Sequence, residues 1–165
     1  LQRLTEVFRR HGAPDPELWA RSQLEGGIPQ LAIFSFAKAL WGGVIPEGDA
    51  DWIDQEIEWA RSRPRDPCAQ SGPALEEMLA KGVSREAITD LVRVFQFSVL
   101  YHTCSLLDGS HTVDLPVSDW TLHQVDEAGE PVAIIQGLHE VLLSLDPSGR
   151  EMRPRGNAEP GAAED

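Results

Sequence analysis

The chain has 165 residues, of which 41% are hydrophobic and 25% charged, enough for one globular domain with its own core. Fourteen basic against 27 acidic side chains leave a formal charge of −13, so a DNA or RNA backbone meets net repulsion. The only small basic clusters, Arg9-Arg10 and the Arg61, Arg63, Arg65 group, carry no interleaved aromatics, which sets nucleic-acid binding aside.

Five Trp and five Phe, with plentiful Leu, Val and Ile, supply apolar material for a core. Cys68 and Cys104 could form at most one bridge, and the lack of a cysteine framework fits a reducing compartment. The opening LQRLTEVFRRHG mixes charge into its apolar residues and has no signal-peptide run. The longest apolar stretch, Leu91 to Leu107, is broken by Arg93, Gln96 and His102, against a membrane span. The expected location is the cytoplasm.

In chain order, Asp15-Pro16 opens a helix closed by Gly26-Gly27, and Pro29 opens a second, largely buried one over 29–41. A third starts at Asp49 or Asp51 and runs until Pro64 stops it. After a loop, PALEEMLAKG reads as helix, and Ser84 then caps a long central helix over 85–107 that ends at Asp108-Gly109. Beyond it DWTLHQVD and PVAII, joined by EAGE, predict a β-hairpin, and GLHEVLLSL a short amphipathic helix. HTVDLPV is a further edge strand in the alternative α+β reading with a three-stranded antiparallel sheet. The fold expected is mainly α (α+β): five or six helices around the 84–107 helix, a C-terminal hairpin and a short helix. One domain covers 1–153, and the Gly- and Pro-rich segment 154–165 is expected to be a flexible tail.

Three places carry candidate chemistry. On the third helix, Trp52, Ile53, Ile57, Trp59 and Ala60 form an apolar arc into which Glu56 intrudes. A carboxylate there needs a partner, a raised pKa or an edge position from which it reaches water. On the central helix, Ile88, Leu91, Phe95, Val99 and Leu106 define the expected core stripe, with His102 inside it as a general base or a hydrogen-bonded core histidine. Glu56 and His102 together make an acid–base pair for a small hydrolase or transferase. The segment from His102 to His111 collects two His, Cys104 and Asp108, but His102 and Cys104 point about 200° apart on a helix and no zinc spacing is present. His139-Glu140 reads as a surface or capping pair, and no phosphate-loop, dinucleotide, nucleophile-elbow or cofactor motif occurs.

The most distinctive feature is acidity. Glu47, Asp49, Asp51, Asp54, Glu56 and Glu58 crowd into twelve residues without a base. Part of this run favours a helix N-terminus. Beside Trp52 and Trp59, the carboxylates Asp51, Asp54 and Glu58 also suit steered docking of a basic protein partner. In size, acidity and lack of a catalytic signature the chain is similar in general character to small bacterial immunity proteins and antitoxins that cap a basic toxin surface. The balance favours binding over catalysis. A specific homodimer through the Trp residues is compatible with it, and a small-molecule-binding regulatory domain, with helix 29–41 and the Phe-rich central helix lining an apolar cleft, is the other alternative.

Overall fold

Two of the helices, α2 (Pro16–Gly26) and α6 (Arg85–Leu107), begin at a side-chain cap that the sequence places there. The computed structural model describes residues 1–109 and 120–155. The expected extra strand over 111–117, His111 and most of the expected tail lie outside the described residues. The chain is mainly helical, with a C-terminal two-stranded antiparallel hairpin and a short helix. It divides into two compact units, one formed by residues 1–42 and 99 onward, the other by residues 43–98.

The first unit opens with α1 (Gln2–Arg10), which buries Thr5 and Phe8. It is followed by α2 (Pro16–Gly26) and α3 (Gln30–Trp41). Asp15 caps α2 in the left-handed region (φ 49°), accepting from the Leu18 N–H at 3.3 Å, and Gly27 (φ 67°) closes it. Pro29 leaves the start of α3 without a cap of its own, so α2 provides one: Gln23 accepts from the Leu31 N–H at 2.8 Å. Phe8, Trp19 and Phe34 meet in tilted and edge-on pairs with centroids 5.6–5.8 Å apart, the aromatic centre of this unit.

The hairpin pairs β1 (Leu122–Val125) with β2 (Pro131–Ile135), in register Leu122 to Ile135. Asp126 ties its turn by accepting from the Ala128 and Glu130 N–H groups, and Gly129 takes the positive φ of 86°. The short helix α7 (Leu138–Leu142) passes into a 3₁₀ turn, Leu143–Leu145, and Trp41 holds it to α3 by donating its indole N–H to the Leu142 carbonyl at 2.9 Å.

The second unit packs α4 (Asp51–Ser62), α5 (Ser71–Ala80) and residues 85–98 of α6 (Arg85–Leu107) around Ile53, Ile57, Leu75 and Ile88. The α4–α5 contact is close enough to demand a glycine: a Cβ on Gly72 would lie 2.5 Å from that of Ala60. Ser84 caps α6 by accepting from the Ala87 N–H at 3.1 Å. No helix among the described residues is long and apolar enough to cross a membrane.

Candidate interaction surface

Residues 43–50 have no regular structure, and their backbone polar groups need partners wherever they are covered. The partners come from α6. Arg93, 5% exposed, donates to the Ile45 carbonyl, and the Gln96 carboxamide accepts from the Ile45 N–H at 3.0 Å. Thr89, 1% exposed, donates to the Asp49 carbonyl at 3.3 Å and accepts from the Trp52 indole at 3.0 Å. These side chains set the rotation of the helix. Its inward arc runs through Ile88, Thr89, Val92, Arg93 and Gln96, rotated by roughly 85° from the stripe expected on apolar spacing.

That rotation overturns the expected core stripe at Leu91, Phe95 and Val99, while Leu106 is half-buried. Leu91 is 54% exposed, Val94 50%, Phe95 63% and Val99 65%. His102 is also exposed rather than set in a core. Leu91, Val94 and Phe95 occupy about 100° of helix circumference, and between Glu86 and Ser98 this outward face carries no base. Solvated apolar side chains gathered on one helix face mark interaction surfaces more often than single exposed residues do.

The acidic helix α4 meets the inward side of α6. Asp54 accepts from Arg85 at 2.7 Å, which brings α4 against the start of α6 and holds the Arg85 guanidinium above its usual pKa. Asp51 and Glu58 are exposed, and Glu58 is 4.0 Å from Arg61, which also bonds Glu76 at 2.5 Å. Such exposed pairs contribute little to stability. Trp52 and Trp59 are half-buried, with the Trp52 indole committed to Thr89. Glu56 is half-buried and accepts from the Ser71 hydroxyl at 2.5 Å, where its charge suits the first turn of α5. The partner that its place in the apolar arc demands is therefore that serine.

A second polar constellation lies in the first unit. The Asp108 carboxylate, 3% exposed, accepts from the backbone N–H of His139 at 3.0 Å and from its ring Nδ1 at 2.6 Å, and Tyr101 stands edge-on to the ring at 5.9 Å. Its Oδ1 is buried without a hydrogen-bond partner among the described residues. A carboxylate holding Nδ1 is how proteins orient an imidazole for acid–base work or metal binding. Here it also ties the first turn of α7 to the end of α6. Cys104 is no nucleophile for it: burial, and then the charge of Asp108, push the thiol up to about 11. Among the described residues no three His, Cys, Asp or Glu side chains could hold a metal ion. Of the expected surface or capping pair His139-Glu140, Glu140 is exposed, while His139 is half-buried and pairs with Asp108, 31 residues earlier, a separation that leaves no spacing signal. No protein-family model, curated protein or solved structure matches the chain.

Proposed function

We propose that this chain is a protein-interaction module that binds a basic protein partner through the outward face of α6. The observation that carries the reading is the exposure of Leu91, Val94 and Phe95 on a helix whose opposite face is satisfied by polar contacts. Covering each exposed half contributes on the order of 1 kcal/mol. Three side chains do not fill a standard interface of about 800 Å² per partner, so longer-range charge contributes as well, and the same unit exposes the carboxylates of Glu86 on α6 and of Asp51, Asp54 and Glu58 on α4. Two copies of the chain would set carboxylates against carboxylates, whereas a partner with apolar side chains flanked by Arg or Lys meets complementary charge. An immunity-protein or antitoxin role agrees with the size and acidity. A cytoplasmic setting belongs to this reading, and the free thiols of Cys68 and Cys104 suit a reducing compartment.

The test is a photo-cross-linking residue at position 94 in the source cells, with position 58 as comparison. The expected product is one basic protein captured at 94, weakened by salt, lost in Leu91→Gln/Phe95→Gln and slowed in association by Asp51→Asn/Asp54→Asn/Glu58→Gln. Cross-linking only to a second copy of the chain, or none at low salt, contradicts the reading.

A further inference from the structure

In the first unit, three segments leave an open cavity of about 360 Å³: the end of α1, the last turn of α3 and the residues after the 3₁₀ turn. Ligand pockets begin at about 300 Å³. Phe34, Trp41, Leu145 and Pro147 give it an apolar floor and wall, and the titratable groups lining it are Lys38 and His11. Among the described residues, no acidic side chain lines this cavity.

The Lys38 ammonium donates to the His11 carbonyl and stands 5.8 Å from the centroid of the Phe34 ring. An ammonium has three N–H groups, so donors remain for a ligand. Lys81 is paired with Glu77 at 2.5 Å, but Lys38 has no carboxylate partner among the described residues, nor does the His11 ring have a hydrogen bond among them. The walls are fixed from behind. Trp41 is held by the Leu142 carbonyl, and the buried Asp146 carboxylate accepts from the Ser148 N–H at 2.9 Å, the Ser148 hydroxyl at 2.7 Å and the Met152 N–H at 2.8 Å. A site that is apolar below, donor-bearing above and held before ligand arrives loses little ordering entropy on binding.

We propose that this cavity binds a small molecule with a flat apolar body and one carboxylate, the carboxylate bonded to Lys38 and the body against Leu145 and Pro147, reaching only the edges of the buried Phe34 and Trp41. The long-range repulsion from the net charge is screened beyond about 8 Å at physiological salt, while the contact with Lys38 is not.

The experiment titrates indole-3-carboxylate and the uncharged indole-3-carboxamide into the whole chain by calorimetry, with amide chemical shifts locating the site. The acid is expected to bind with shifts at His11, Lys38 and Trp41, and the amide about tenfold more weakly. Lys38→Met should weaken the acid about tenfold or more and leave the amide unchanged, while Lys38→Arg retains acid binding. Equal binding of acid and amide, indifference of the acid to Lys38→Met in a folded variant, or no binding up to millimolar concentration overturns the proposal. Should Lys38→Met not fold, the acid against amide comparison on the unaltered chain decides alone.

Discussion

Along residues 85–98 of α6, the face turned inward carries Thr89, Arg93 and Gln96, and the face turned to solvent carries Leu91, Val94 and Phe95. Hydrophobicity alone would orient the helix the other way. The difference lies in what each face has to satisfy. The irregular backbone around Ile45 and Asp49 offers carbonyls and an N–H that water cannot fully reach, and a buried unsatisfied group costs about 1–3 kcal/mol. Three polar side chains facing inward remove several such costs at once, and Ile88 and Val92 still reach the core of Ile53, Ile57 and Leu75. The apolar residues left outside then need either a partner or tolerance of water.

The comparison breaks most readily at Arg93. Arg93→Met keeps the stem but withdraws the donor from the Ile45 carbonyl, and urea denaturation should show a loss of about 1–3 kcal/mol. Thr89→Val preserves shape while removing both the bond to the Asp49 carbonyl and the acceptor for Trp52. Its expected loss is about 1–2 kcal/mol, accompanied by a change in tryptophan fluorescence. The smallest effect belongs to the outer face: Leu91→Gln and Phe95→Gln should each change stability by no more than about 0.5 kcal/mol, since Gln is a good helix former and both residues are more than half exposed.

Much of the architecture was legible in local chemistry. Asp15-Pro16, Ser84 and the Asp126 to Gly129 turn act where their residue types say they should, because caps and turns are set by neighbours in sequence. The helix α1 is weakly marked in LQRLTEVFRR: Leu4, Val7 and Phe8 have helical spacing, but no side-chain cap opens it and charged residues break up the apolar pattern. The rotation of α6 was not legible for a different reason. Apolar residues occur on both sides of this helix, and the choice between them rests on bonds to Ile45 and Asp49, forty or more residues earlier. The same holds for Asp108 and His139. Of the residues expected to carry a partner surface, Asp51, Asp54 and Glu58 are exposed along α4, and Trp52 and Trp59 are half-buried.

The central claim, that polar contacts fix α6 and leave its apolar face outside, is tested most directly by paired urea denaturation of Arg93→Met and Leu91→Gln/Phe95→Gln. The account predicts a clear fall in the midpoint for the first and a midpoint near that of the unaltered chain for the second. A steep loss in the double variant with Arg93→Met unaffected would mean that Leu91 and Phe95 form the core, contradicting both the orientation of α6 and the interaction surface drawn from it.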